Sequence, residues 1–321
     1  MKAAVRSKYG TGDVLNIPEV DTPIPKENDV LIRVHATTVN RSDCHILTGK
    51  PYFMRLFTGL FKPKSATTGS DFAGEIEAVG KKVKAFSPGE KVFGFGGAFG
   101  TGSHAQYFIQ PEIIAVKTTV LMPANVKYEE AAACIEGAVY ALNSVIMVHP
   151  KAGQTALVHG ATGAIGAATV QFLKHYGLNI TATCRGEHES LVASLGADRI
   201  IDYTKEDFTK DNGRYDFIFD AVGKTSFAKC KHLLKKKGVF TSSNGAINLL
   251  LVVVTPLFGG KKVVFKSVTK ITTALSFIKE LVEKESFVPV IDREYPLDKI
   301  GDAYTYVMTG NKVGNVVITM S

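Results

Sequence analysis

The chain has 321 residues, 45% of them hydrophobic, with 38 Lys and Arg against 30 Asp and Glu for a formal charge of +8. It is long enough for two domains and a large core, and its composition is that of an ordinary α/β protein. The lysines fall in short groups, Lys81-Lys82 with Lys84, Lys235-Lys236-Lys237 and Lys261-Lys262. These groups are expected at turns or helix ends, and no aromatic residues are interleaved with them. That pattern argues against a nucleic-acid partner and reads as solvated charge whose field attracts an anionic cofactor.

The first 120 residues read as β-rich. Val30 to Ala36 alternates in the manner of a half-buried strand, and turn signals stand at Thr11-Gly12-Asp13, Ile24-Pro25 and Ser87-Pro88-Gly89. Gly69, Gly74, Gly80 and Gly89 are expected at bends between short strands of a strongly curved sheet. Arg55 to Lys64 predicts an exposed loop or short helix with apolar faces. After Pro123, Glu129-Glu130-Ala131-Ala132-Ala133 opens a helix with acids in its first turn, as the helix dipole favours.

From Thr155 strands and helices alternate. Strands are predicted at 155–159, 179–183, 199–201, 217–219, 239–241 and 262–267, and helices at 163–176, 187–194 and 225–234. This is the pattern of a doubly wound parallel sheet. The run Ile247 to Phe258 is too short to span a bilayer; it is expected to be a buried helix or a pocket wall, with peripheral membrane contact as the lesser alternative. Ile271 to Glu283 predicts an amphipathic helix, and Val288 to Ile291 and Gly314 to Ile318 predict late strands that return to the first domain. Cys44, Cys134, Cys184 and Cys230 are widely spaced and form no CxxC pair, which argues against a disulfide framework or clustered structural zinc. A reducing cytoplasmic location is expected, with neither a secretory leader nor a transmembrane segment.

The most informative stretch is Thr155 to Gly177. An apolar strand runs into Gly160, Gly163 and Gly166 and then into a helical pattern. Such a turn brings backbone N–H groups at a helix N-terminus up to a pyrophosphate, with Ala164 and Ile165 supplying main-chain contacts. The next strand ends in Cys184-Arg185-Gly186. An NAD-type domain usually places an acid there, whereas Arg185 is a guanidinium suited to a 2′-phosphate, with His188 one turn on as a further donor. Val222-Gly223 and Ser243 follow later strands, at the edge where a nicotinamide is expected.

Several motifs together resemble the medium-chain dehydrogenase/reductase superfamily. They are Gly69-Ser70-Asp71-Phe72-Ala73-Gly74 through Val79-Gly80, then Pro88-Gly89-Glu90-Lys91-Val92-Phe93-Gly94. The glycine turn, Leu195-Gly196-Ala197-Asp198, Phe219-Asp220-Ala221-Val222-Gly223 and Gly314-Asn315-Val316-Val317 complete the set. The resemblance covers essentially the whole chain and is closest to the zinc-independent, quinone-oxidoreductase-like branch. It implies an α/β architecture: a GroES-like β domain over 1–121 and 268–321, and a Rossmann NADP-binding domain over 122–267. Zinc-dependent relatives place a cysteine where this chain has Asn40 and a histidine where it has Ser70, while the third ligand's place falls near Cys134 or Glu136. No catalytic metal is therefore expected.

The resemblance further implies that Asn40 and Asp43 lie near nicotinamide and substrate, that Tyr203 lies against the adenine-ribose portion, and that Asn315 stands near the active-site end of the last strand. Asp43 also reads as a helix cap, and Tyr52 is the nearest phenol able to donate a proton. In place of the family's usual Gly-x-Thr-Ala-like turn stands Gly137-Ala138-Val139-Tyr140. The implied activity is NADPH-dependent hydride transfer to quinones or α,β-unsaturated carbonyls without a metal. A zinc-free alcohol or aldehyde dehydrogenase and a non-catalytic NADPH-binding protein are the alternatives. A homodimer, paired through Val263-Val264-Phe265, follows by analogy.

Overall fold

In the computed structural model, residues 1–96, 102–243, 245–258, 260–265 and 270–320 are described. The chain divides into two compact units, Met1–Glu136 with Lys270–Ser321, and Gly137–Thr269.

The first unit is built on β1 (Asp29–Thr38), β2 (Asp71–Val79), β3 (Lys91–Phe95), β4 (Tyr107–Pro111) and β5 (Thr119–Leu121). β1 pairs antiparallel with β2 and with β4, β2 with β3, and β3 with β5. Register shifts between Leu31 and Ile32 and between Val34 and Ala36 bend β1 and let the sheet curl. The alternation in β1 predicted a half-buried strand, but Leu31 is buried together with Val30 and Ile32. The strand lies in the middle of its sheet, and Tyr128, opening the helix Tyr128–Ala133, stacks its ring on His35 at 4.2 Å. Gly74 stands inside β2 rather than at a corner.

The second unit carries β6 (Thr155–His159), β7 (Asn179–Cys184), β8 (Arg199–Asp202), β9 (Tyr215–Asp220), β10 (Leu234–Ser242) and β11 (Lys262–Val263). All pairings are parallel, in the order β11-β10-β9-β6-β7-β8. The order reverses between β6 and β9, where open parallel sheets bind ligands at their carboxyl ends. The helix Ala164–His175 buries Ala167, Ala168, Val170, Phe172 and Leu173.

Two expectations for this unit hold only in part. The predicted helix over 225–234 shrinks to Phe227–Cys230 and a 3-10 turn at Lys231–Leu233. Leu233 and Leu234 are both core residues, and the chain turns between them so that Leu234 opens β10. Lys235 to Lys237 thus lie in a strand, not at a helix end, where pairing with β9 lapses between Leu234 and Val239 and lets all three reach solvent. The run Ile247 to Phe258 forms the helix Gly245–Val254 and a 3-10 turn Thr255–Phe258, yet Leu250, Val253 and Leu257 are exposed. Its inner side is instead held by Thr255, whose Oγ1 donates to Leu251 O and accepts from Val263 N at 2.9 Å. Of the strand predicted at 262–267, β11 takes the first two residues, and Lys266 and Ser267 lie outside the described residues.

The helix Ile271–Glu283 forms as predicted, with Leu275, Ile278, Leu281 and Val282 buried. β12 (Ile291–Pro296) starts only where Val288–Ile291 was expected to end, and β13 (Asn315–Thr319) follows. They pair parallel, and β13 joins β1 antiparallel, which returns the chain to the first unit's sheet. The core there gathers Ile32, Phe72, Ile76, Val316 and Ile318 with Ile300, Tyr304 and Val307 of the helix Ile300–Met308.

Candidate active site

In the first unit, polar side chains converge where β1 ends and β2 begins. Asn40 follows β1 and precedes the helix Arg41–Thr48. Its backbone N–H donates to Asp43 Oδ2 at 2.8 Å, and its Nδ2 donates to Thr38 Oγ1 at 2.8 Å and Asp71 Oδ2 at 2.7 Å. Thr38 Oγ1 donates to the same Asp71 oxygen at 2.6 Å. Ser42 Oγ lies 2.6 Å from both carboxylate oxygens of Glu136, and Ser70 Oγ donates to Glu136 Oε2 at 3.0 Å, with Asp43 Oδ1 at 3.3 Å. One hydroxyl and amide network therefore joins three buried carboxylates, Asp43, Asp71 and Glu136.

Burial raises the pKa of all three, and for Asp43 and Asp71 the Glu136 charge adds to the rise. Asp71 Oδ1 is buried without a hydrogen-bond partner. Nearby is the Lys312 ammonium, half-buried, donating to Gly314 O at 2.6 Å. Burial lowers it to about 8, against the pull of Glu136. Three buried carboxylates with one adjacent ammonium resist full ionisation.

The structure thus brings Asn40 and Asp43 together, and Asp43 also caps its helix, as its rival reading expected. Tyr52 stands apart. It lies on the 3-10 turn Tyr52–Met54, 67% exposed, with the Arg55 guanidinium 5.1 Å from its ring centre. Asn315 opens β13 and donates through Nδ2 to Ala133 O and Val290 O, both at 3.1 Å, so it ties three segments together. Ser42, Asp71, Glu136 and Lys312 were not expected as members of a site. The sequence signal for them was a carboxylate, Asp71, at the head of an apolar strand segment.

The donor set does not fit a zinc ion. Asn40 and Ser70 are an amide and a hydroxyl, and both are spent on the carboxylates. Cys44 and Cys134 are buried thiols whose pKa burial pushes up, the former to about 12. Among the described residues no cluster of three or more His, Cys, Asp and Glu has the geometry to hold a metal.

In the second unit the glycine turn joins β6 to the helix Ala164–His175. Gly160 has φ +80°, in the left-handed region, and its N–H donates to Thr183 Oγ1 at 3.2 Å. A Cβ on Gly166 would lie 2.1 Å from Gly160 O, whereas one on Gly163 would meet only Gly160 O at 4.0 Å. The turn is therefore tight on its inner side and open on its outer side, where the first N–H groups of a helix leave room for a diphosphate. These residues fit a dinucleotide. Ala164 and Ile165 form the first turn of that helix.

At the end of β7, Cys184 is fully buried, so only its main chain is available to a ligand. Arg185 Nε donates to Tyr203 OH at 3.3 Å, which joins two residues expected at the adenine-ribose end. His188, in the 3-10 turn Gly186–His188, lies 3.5 Å from Glu187 Oε1. Asp220, at the end of β9, organises the opposite side of the switch point. Its Oδ1 accepts from Gly223 N at 2.9 Å and Val222 N at 3.3 Å, its Oδ2 from Ser242 Oγ at 3.0 Å, and its carbonyl from Ser243 N at 2.9 Å. Val222 and Gly223 are thus held at the carboxyl end of the sheet by the buried Asp220 carboxylate, and Ser243 by the same residue's main-chain carbonyl; Asp220 was not itself expected as a site residue.

The chain matches the alcohol dehydrogenase GroES-like domain model over residues 26–122 and the zinc-binding dehydrogenase model over residues 195–318. It is 32% identical, over 99% of its length and 79% of the relative's, to an NADPH-dependent alkenal/one oxidoreductase from Arabidopsis thaliana. It is 31% identical to quinone-oxidoreductase QR1 of Triphysaria versicolor, over 99% of this chain and 98% of the relative. The quinone oxidoreductase of Coxiella burnetii superposes with a TM-score of 0.87 at 24% identity, covering 100% of this chain and 99% of that one. The likeness extends end to end, and the two units carry the GroES-like and Rossmann-like architectures these relatives imply. The chain belongs to the medium-chain dehydrogenase/reductase superfamily, in its quinone-oxidoreductase-like group.

Proposed function

We propose that the protein is an NADPH-dependent reductase that transfers hydride to quinones or α,β-unsaturated carbonyls without a metal. The observation that carries this reading is the pairing of Arg185 with Tyr203 at the end of β7, a strand that itself contains no Asp or Glu; the Glu187 carboxylate, 4.0 Å from the Arg185 guanidinium, would be displaced by a 2′-phosphate. A guanidinium in that position pairs with a 2′-phosphate, and an acid there would repel it. The relatives named for NADPH and for quinones support the same reading.

A bound reduced nicotinamide would supply the hydride. The residues of the second unit would hold it: the helix N-terminus at Ala164 and Ile165 binds the diphosphate, Arg185 with His188 the 2′-phosphate, and Val222, Gly223 and Ser243 border the sheet edge. The oxygen of an electron-poor acceptor gains charge as hydride arrives, and the acceptor takes up a proton to complete a two-electron reduction. Asn40 and Asp43, buried in the carboxylate network, would shape the substrate side of the site from behind, positioning it and not touching the acceptor. Without a zinc ion the alkoxide of a simple alcohol lacks its main stabiliser, so activated acceptors are favoured over alcohol oxidation.

Turnover of NADPH and NADH against a panel of enones, quinones and primary alcohols tests the reading. Reduction of enones or quinones is expected, and consumption confined to alcohols and aldehydes overturns it. For the cofactor, Arg185→Asp is expected to reduce the NADPH-to-NADH affinity ratio by at least about tenfold, the value of one lost charged hydrogen bond of about 1.5–3 kcal/mol. An unchanged ratio removes Arg185 from the phosphate site.

A further inference from the structure

We propose that the segment from Lys50 to Lys64 docks the protein onto an anionic lipid surface. Between Asp43 and Asp71 the chain contains no Asp or Glu, while Lys50, Arg55, Lys62 and Lys64 are all cationic. In the same stretch large apolar side chains face water: Phe53, Leu56 and Leu60 are each more than half exposed, and Phe61 is 90% exposed. Scattered apolar residues on a surface are ordinary, but several within nine positions, ringed by cations alone, form a patch that marks a binding surface.

The segment is a built protrusion. Tyr9 OH donates to Gly59 O and lies 2.8 Å from Thr58 Oγ1, which fastens the end of the short helix Arg55–Thr58 to the body of the unit. The backbone closes on itself, with Gly59 N donating to Arg55 O at 2.9 Å and Lys64 N to Thr58 O at 2.8 Å. Arg55, the one charge in the middle of the apolar run, is turned inward: its Nε donates to Gly49 O at 3.3 Å and its guanidinium lies 4.5 Å from the Tyr9 ring centre. These contacts leave Leu56, Leu60 and Phe61 projecting and the remaining lysines at the flanks.

That arrangement suits the boundary between lipid headgroups and acyl chains. Apolar tips enter the interface and flanking lysines meet the phosphates. No helix among the described residues is long and apolar enough to cross a membrane, so the association is peripheral. Charge complementarity together with the projecting Leu56, Leu60 and Phe61 commits the occupant to an anionic lipid surface, which offers phosphates to the flanking lysines and acyl chains to the apolar tips at once. The inference is independent of the hydride chemistry above.

Flotation of the purified full chain with vesicles of phosphatidylcholine, with and without phosphatidylserine, is the test. Binding is expected only to the vesicles containing phosphatidylserine. Leu60→Ser with Phe61→Ser, and separately Lys62→Glu with Lys64→Glu, are each expected to weaken it about tenfold or more. Lys236→Glu with Lys237→Glu makes the same change in net charge on β10 of the second unit and is expected to leave binding within about twofold, since the proposal assigns the contact to the Lys50–Lys64 segment and not to net charge. Unaltered far-UV circular dichroism establishes that the exposed-site variants fold. Absence of binding, or equal loss in both charge variants, overturns the proposal. So does a result in which the Leu60 and Phe61 variant turns a dimer into a monomer while vesicles never bind, which would make the patch a contact between copies.

Discussion

Replacing Gly166 by alanine sets two opposed effects against each other. Gly166 lies in the first turn of the helix Ala164–His175, where alanine is the better helix former by about 0.5–1 kcal/mol. The new methyl, however, would lie 2.1 Å from Gly160 O and 2.9 Å from Ala161 Cα, both main-chain atoms. Restoring ordinary contact means moving the helix by about 1 Å from the end of β6, a shift of the kind that costs about 1–3 kcal/mol. The turn cannot yield cheaply, since Gly160 N is bonded to Thr183 Oγ1 and Ala161 N to Thr183 O at 3.0 Å. The clash therefore wins, with a net loss of about 1–2 kcal/mol and a fall in Tm of several degrees. Gly163→Ala is the control: its methyl enters open space on the outer side of the turn, so it should cost no more than about 1 kcal/mol of stability. It should nonetheless weaken NADPH binding, because that open side is where the diphosphate is placed. Thermal melts followed by circular dichroism, with NADPH titrations of the same samples, measure both quantities. A Gly166→Ala protein as stable as the wild type, or a Gly163→Ala protein with unaltered NADPH affinity, refutes the reasoning.

Two further outcomes depend on pH. Burial, and then the Glu136 charge, raise the native pKa of Asp71 above its unfolded one. Its contribution to stability is present below the unfolded value of about 4 and is lost as pH rises towards the native value. Asp71→Asn removes this titrating group, so in urea titrations at several pH values the alkaline decline should flatten by up to about 1.4 kcal/mol per pH unit; an identical decline in both proteins counts against a raised Asp71 pKa. His104 behaves in the opposite direction. Burial lowers it to about 4, and the ring is held between Thr38 O at 3.0 Å and Thr68 Oγ1 at 2.9 Å. It is neutral in the fold, and the stability it supports above its unfolded pKa of about 6.5 is lost as pH falls towards 4, by up to about 3 kcal/mol. His104→Gln should flatten the acid limb of the pH–stability curve, and an unchanged acid limb would show that His104 is not the group being charged.

The short-range pattern of the chain determined the elements that depend on local chemistry. Apolar runs punctuated by glycine were enough to place β6, the phosphate turn and the helix Ala164–His175, because a Rossmann turn is contiguous in sequence. Arg185 was visible for the same reason, standing at the end of a strand that lacks an acid. Tertiary structure decided what depends on distant segments. Lys235 to Lys237 became part of β10 because Leu233 and Leu234 both had to reach the core, and the apolar helix Gly245–Val254 exposed one face although its composition predicted burial. The candidate site followed the same division. Asn40 and Asp43 were legible from their motif, whereas the partnership of Asp71 with Glu136 and of Ser42 with Lys312's surroundings joins residues from opposite ends of one unit. Residues 40 and 71 meet because β1 pairs with β2, and residue 312 is brought beside them because β13 returns to pair with β1. Periodicity records which face of a segment is apolar; it carries no record of which other segment will bury a charge beside it.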